Sequence, residues 1–413
     1  MSSEWRTARL VDVAAKKRWA LNGGPFGSKL SRKHYSESGV PVIRGTNLSA
    51  ASKFSFDDFV YVSEEKADEL RANNAHPGDL IFTQRGTIGQ VGLIPFDSPI
   101  SRFVISQSQM KLTVDPEQAD ALFLYYFFSA ADTVQKIQNL AFAAGVPHIN
   151  LDILRNFETP VPPLSVQRRI AGILSAYDEL MENSQRRIKI LEEMARALYR
   201  EWFVNFRFPG HEKVKCIDSP LGSIPHGWEV KQLKDVANVT YGFPFQSKKF
   251  NTTGVGAPVI RIRDILDGST DTFTDEEAEP KYHIKNGHIL VGMDGDFHMC
   301  IWSSGHAYQN QRVARFESNG EIGNLHLFLT LEKPIKEFNK AIVGTTVAHL
   351  GDMHIKTIQI VWPPAKLRAR ARAVLEPMSE QIIALKRRIQ NLRRTRDLLL
   401  PRLLSGQLTV PMS

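Results

Sequence analysis

The chain has 413 residues, of which 42% are apolar and 23% charged, with a formal net charge of +8; this is the balance of an ordinary globular protein with room for two or three cores. Two cysteines, Cys216 and Cys300, exclude a disulfide framework and suit a reducing cytoplasm. The absence of any apolar run of about eighteen residues argues against a membrane-spanning helix, and "MSSEWRTARL" lacks a signal-peptide core.

The charge is unevenly placed. Residues 1–162 carry 17 basic and 17 acidic side chains, 163–204 carry 7 and 6, and 205–364 carry 17 and 18. The last 49 residues carry 11 and 3, which is the whole excess. A polyanion or an acidic partner is therefore implied near the C-terminus, while the rest is neutral overall.

In chain order the first 162 residues alternate short apolar runs with Gly/Pro/Asn/Asp turns: "GGPFGSK" (23–29), "GVPVIRGTNL" (39–48) and "PGDLIFTQRG" (77–86). Runs such as "VPVI" and "DLIF" read as strands of a small sheet. "ALFLYYFFSAADTVQKIQ" (121–138) reads as a buried helix, its aromatics being core rather than a stacking platform, and "PVPP" (160–163) closes the segment.

A long proline-poor stretch follows. Leu174, Tyr177, Met181, Ser184, Ile188, Leu191, Ala195, Leu198 and Trp202 recur in strict 3,4 alternation, broken only by Ser184. That is a coiled-coil seam of about four heptads, a rod of roughly 57 Å at ~1.5 Å per residue.

The plan then repeats. "WRTARLVDV" (5–13) returns as "WEVKQLKDV" (228–236), "GGPFGSK" as "GFPFQSK" (242–248), and "GVPVIRGTNL" as "GAPVIRIRDI" (256–265), with five identities in ten. "PGDLIFTQRG" returns as "NGHILVGMDG" (286–295), "SQSQ" (106–109) as "YQNQ" (308–311), and His148 and Pro162-Pro163 as His349 and Pro363-Pro364. "NLHLFLTLEKPIKEFNKAI" (324–342) reads as the second buried helix. After the second double proline the stripe recurs through Leu375, Met378, Ile382, Leu385, Ile389, Leu392, Arg396, Leu399 and Leu403, with Arg396 the break and Pro377 and Pro401 as potential kinks. Ordered matches of this length indicate duplication, and the two halves should share a fold.

No chemistry motif survives. "GGPFGSK" lacks the spacing of a phosphate loop, no glycine-rich cofactor loop follows a strand, and Glu64-Glu65-Lys66 is too weak for a nuclease site. His298, Cys300 and His306 have no counterparts in the first copy, so no metal site is assigned. What remains are polar groups beside glycines at strand ends. In copy one these are Arg44, Thr46, Asn47, Thr83, Gln84, Arg85, Gln107 and Gln109; in copy two they are Arg261, Arg263, Asp264, Asp294, Asp296, Gln309, Asn310 and Gln311. Arg, Asn and Gln read purine edges bidentately and Asp accepts from cytosine; the competing reading is that these groups form turns and cap loops. The frame residues repeat while "FTQRGT" and "VGMDGD" differ, as two different recognition tasks require.

The twin "GxPVIR" segments, "PGDLIFTQRG", "VPPLSVQRRIAGILSAYDEL", "ILEEMARALYREWFVNFRFPG" and "KLRARARAVLEPMSEQIIALKRRIQNLRRTRDLLLPRLLSGQL" together resemble the specificity (S) subunits of Type I restriction-modification systems over essentially the whole chain. One departure is "KLRARAR", which lacks a counterpart of Gln167 for capping the second helix. The resemblance implies an α+β chain: target-recognition domain 1 (1–162), a central helix (163–206), target-recognition domain 2 (207–364), then a distal helix and tail (365–413). It implies that the two helices pair antiparallel with pseudo-twofold symmetry. It also implies a non-catalytic subunit reading a bipartite site in double-stranded DNA, with two modification (methyltransferase) subunits on the helices and restriction (translocase/nuclease) subunits beyond them. S-adenosylmethionine, ATP and Mg would then belong to the partners and no cofactor to this chain. The rival readings are a standalone methyltransferase or nuclease, against which the missing motifs argue, and a duplicated protein-interaction scaffold without base readout.

Overall fold

The computed structural model describes residues 5–48, 52–143, 148–342 and 349–410, so the ends of the repeat segments at 144–147 and 343–348 lie outside the described residues. The chain forms two compact units, Met1–Glu179 with Arg393–Ser413, and Leu180–Leu392.

In the first unit two sheets share the strands' apolar faces. One has four strands in the order Leu21–Gly23, Gln109–Leu112, Leu80–Thr83, Val91–Leu93; the other has five, Tyr35–Ser36, Val60–Val62, Val40–Ile43, Phe103–Ile105, Asn74–Ala75. "VPVI" and "LIFT" are buried along their whole length, which is why they read as continuous apolar runs rather than alternating ones. Val40–Ile43 pairs in parallel with Phe103–Ile105, Ile43 opposite Ile105. Phe82 meets Phe128 edge-on in the core. The single helix expected over 121–138 is two, Ala121–Ser129 and Ala131–Ala143. Ala130 between them is extended (φ −68°, ψ 137°), a break that no glycine or proline announces.

The second unit repeats this topology. Ala237–Tyr241, Val313–Ser318, Ile289–Gly292 and Met299–Ile301 form the four-stranded sheet. Phe250–Asn251, Phe273–Thr274, Ala257–Ile260, Ala307–Gln309 and His283–Ile284 form the five-stranded one. Here the parallel pair sets Ile260 opposite Gln309, and Asn324–Ile342 is one helix despite Pro334. A two-stranded ribbon closes each unit, Arg6–Arg9 with Glu158–Val161 and Glu229–Gln232 with Gln359–Trp362.

The central helix spans Leu164–Tyr199, followed by a π turn at Arg200–Val204. The distal helix, Ala365–Leu404, runs uninterrupted through Pro377 and Pro401. In the first unit Ile170, Ala171 and Leu174 join the domain core together with Leu403 and Leu404, and Leu399 packs beside them; Tyr177 is half-buried. In the second unit Met181, Ile188, Ile382, Leu385 and Ile389 cluster, with Leu191 and Leu392 at the margin. Ala195 and Leu198 group with Ala371, Leu375 and Met378, and Glu192 pairs with Lys386 at 3.3 Å. Residue numbers rise on one helix as they fall on the other, so within this unit the two run antiparallel. The narrow stripe is what such a seam buries. Ser184, the polar interruption, is buried and donates to the Leu180 carbonyl at 2.7 Å, so it leaves no unmet hydroxyl in the seam. The units divide within the helices, at 179/180 and 392/393, rather than at the double prolines, because each end of the pair packs into a different core.

Buried Gln167 accepts from the Asp120 amide at 2.8 Å and donates to the Pro162 carbonyl at 2.7 Å. At the second helix Arg368 takes over: it donates to the Pro363 carbonyl at 2.6 Å and to the Glu321 carboxylate. An ion pair thus replaces an amide at the same helix start, and the departure noted in the sequence costs no cap. No described helix is long and apolar enough to cross a membrane.

Candidate DNA interface

Three segments meet at the same place in each unit. In the first, the Gln84 amide donates to the Ser108 carbonyl at 2.7 Å, and the Ile149 amide to the Gln84 carbonyl at 3.1 Å. In the second, Met293 donates to Arg312 at 2.9 Å, and Leu350 to Met293 at 2.7 Å. Arg85 and Asp294 then bridge His148 and His349 respectively. The turn leaving the parallel strand is pinned alike, Ser106 amide to Ile43 carbonyl (2.9 Å) and Asn310 amide to Ile260 carbonyl (3.1 Å). Gly24 and Gly242 lie against these turns. A Cβ there would stand 2.1 Å from the Ser106 oxygen or 1.9 Å from that of Asn310, so only glycine fits.

This frame corrects one register. Pairing by strand sets Gln107 opposite Gln311, and Ser108 opposite Arg312, so "YQNQ" corresponds to residues 104–107 and not to "SQSQ". Glutamine identity displaces the turn by two residues, because backbone pairing and not residue identity sets the register.

Several candidates are framework. Asn47 is fully buried; its Oδ1 caps the Arg44 amide (2.8 Å) and its Nδ2 bonds the Asp57 carbonyl (2.8 Å). Gln109 is 1% exposed and accepts from the Ser106 hydroxyl. Thr83 and Gln309 are buried too, the latter bonding the Thr240 and Val313 carbonyls, both at 2.7 Å. Arg44 and Arg261 turn inward, to the Asp58 carbonyl and the Thr272 hydroxyl. Asn47, Thr83, Gln109 and Gln309 are thus buried within their own domains and the two arginines are tied inward, although Thr83 Oγ1, Gln109 Nε2, Gln309 Oε1 and the Nε atoms of Arg44 and Arg261 are buried without a partner. Gln107 is exposed, but its Nε2 holds the Gly27 and Leu30 carbonyls, so only its oxygen remains outward.

Asp264 is buried where the first copy has Asn47, and caps the Arg261 amide at 2.8 Å. Burial pushes its carboxyl up to about 6. A carboxyl that binds its proton more tightly folded than unfolded favours the fold most below about pH 4, and that contribution is lost as pH rises towards about 6. Asp264→Asn, the side chain the first copy already uses, should keep the cap. It should remove this slope and raise stability at pH 7.5 by about 2 kcal/mol, read from urea melts of wild type and variant at pH 5 and 7.5.

What stays outward differs between the copies. The first presents Thr46, Arg85 and the half-buried Gln84. The second presents Arg263, Gln311 and Arg312, with Asp294 behind Arg312, 3.4 Å from its Nε and 2.6 Å from His349 Nδ1. Arg312 was absent from the sequence candidates; it stands one residue past "YQNQ" and emerges once that segment is placed in register. Among the described residues no cluster of three or more His, Cys, Asp or Glu gathers to hold a metal.

Residues 2–193 and 225–394 match the Type I restriction modification DNA specificity domain. The chain belongs to that family. It is 25% identical to the Type I restriction enzyme MjaIX specificity subunit of Methanocaldococcus jannaschii, over 98% of this chain and 94% of that one. It is 31% identical to the EcoBI specificity subunit of Escherichia coli, over 50% of this chain and 44% of that one. The crystal structure of the Type I S subunit from M. genitalium has the same fold, with a TM-score of 0.64 at 17% identity, covering 99% of this chain and 97% of that one. The chain is thus a specificity subunit, a DNA-recognition component and not itself a catalyst. The three-segment frame is built in both units, and the residues that differ upon it are Arg85 against Asp294 and Ser108 against Arg312.

Proposed function

We propose that each domain of this specificity subunit reads one part of a bipartite duplex target. The first reads through Arg85 with Gln84 and Thr46; the second reads through Arg312 and Gln311, with Arg263 at the margin and Asp294 holding Arg312. One observation carries this reading: the same backbone hydrogen bonds are built twice, at Gln84–Ser108 and Met293–Arg312, while the side chains they aim differ in charge and reach. Phosphate contacts position a protein and base contacts specify; with neutral domains, specificity rests on few directed groups.

The paired helices carry two modification subunits, which bring S-adenosylmethionine, and restriction subunits bring ATP and Mg. The exposed basic groups of the distal helix serve a DNA backbone or an acidic partner surface.

Methylome sequencing of a host carrying this chain with its modification subunit tests the proposal. The expected result is a single motif in two defined parts separated by an undefined spacer of constant length. A one-part motif, or methylation that depends on only one domain, would contradict it.

A further inference from the structure

Among the described residues of the first unit Phe26 is the most exposed large apolar side chain, with 90% of its surface in water. It is not at the tip of a slack loop. Before it, Gly24 is pressed against the Ser106 carbonyl; after it, Gly27 takes φ +58°, and Gln107 Nε2 holds the Gly27 and Leu30 carbonyls, the latter at 2.6 Å. The backbone that carries the ring is therefore tied to the turn at 106–108 that forms the reading frame. Lys29, Arg32 and Lys33 are exposed on the same segment, which suits a polyanion and not an apolar protein groove.

The second copy of this loop behaves differently. Phe245, of "GFPFQSK", is 6% exposed and stacks on Tyr308 at 5.4 Å and 18°, with Phe243 edge-on at 4.9 Å. Tyr308 occupies the position of Val104, each beside the matching valine of the parallel strand, Val259 or Val42. Val104 is wholly buried and offers no ring. Tyr308 and Phe243 thus sheathe the loop's phenylalanine in the second copy, where the first has Val104 in the underlying strand and presents Phe26 to water.

We propose that Phe26 is an apolar wedge that enters a base step of the half-site read by the first domain, unstacking it, and that the second domain has no such wedge; this rests on the DNA reading proposed above. Side chains of this kind unstack and kink a duplex when held rigidly beside basic groups. Insertion covers a ring that otherwise stays in water, and places the unstacked step beside the frame that carries Arg85.

The test uses the complex of this chain with its modification subunit and duplexes of its methylation motif, with 2-aminopurine placed in turn at positions other than the methylated adenine. Wild type should raise fluorescence at one step of the first half-site. Phe26→Ala should abolish that signal and weaken binding roughly tenfold, with second half-site signals unchanged and an unaltered thermal melt. Phe26→Leu, which keeps an apolar wedge, should retain part of both. If wild type bound its motif with no unstacking, or Phe26→Ala kept the signal and the affinity, the wedge would be refuted while base reading stood. Sequence-independent binding by the wild type would instead refute the reading function, and the wedge with it.

Discussion

Arg85→Ala is expected to erase a base preference in one part of the methylated motif and to leave the other part as it was. The side chain is exposed at a position whose backbone is held independently, by the bridge to His148 and the neighbouring Gln84 bonds to Ser108 and Ile149. Truncation therefore leaves the frame standing, and the melting temperature should not move. A bidentate arginine–guanine contact contributes ~1–3 kcal/mol of discrimination, about five- to 150-fold at one position. Residues 1–162 balance 17 basic against 17 acidic groups, so little general attraction compensates. Arg312→Ala is the informative partner experiment. It leaves Asp294 with His349 but without its guanidinium, placing an incompletely neutralised carboxylate against DNA, and should change the other part of the motif. Methylome sequencing of the two variants reads both results. An unchanged motif in Arg85→Ala would show that the residue only forms its turn.

The second large effect concerns stability. Arg396 interrupts the apolar stripe of the distal helix and lies 23% exposed, its guanidinium 2.7 Å from Asp178 of the central helix and 2.8 Å from Asp397. Asp178, 18% exposed, also accepts from the Tyr126 hydroxyl at 2.5 Å and lies 3.9 Å from Lys53. Burial, then the adjacent carboxylate, hold the Tyr126 phenol protonated and hence a donor. Arg396→Leu restores the stripe yet strands Asp178 between a phenol and a distant ammonium. The cost of breaking such a pair from one side is about 3 kcal/mol, lowering the melting temperature of the first unit. Asp178→Leu combined with Arg396→Leu removes both charges and should recover most of that loss. Thermal melts of the two single variants and the double variant supply the cycle. Additive losses would mean that the pair is not coupled.

The sequence by itself determined the duplication, the two heptad stripes and the polar strand ends, because each is local or periodic: a repeat of 3,4 spacing survives whatever packs around it. Burial of polar side chains was decided elsewhere. Asn47, Gln109 and Asp264 have the chemistry of base readers, and only the fold makes Asn47 and Asp264 caps and buries Gln109 against Ser106. The break at Ala130 has no local signal, since the core and not propensity sets where that helix turns. Register was likewise a tertiary matter: Ile43 opposite Ile105, and Ile260 opposite Gln309, place Arg312 on the surface that counting glutamines had closed one residue early. Arg368 for Gln167, and Tyr308 for Val104, show the same principle. A side chain's partner comes from a strand or helix far along the chain, so its role is fixed by what the fold brings beside it.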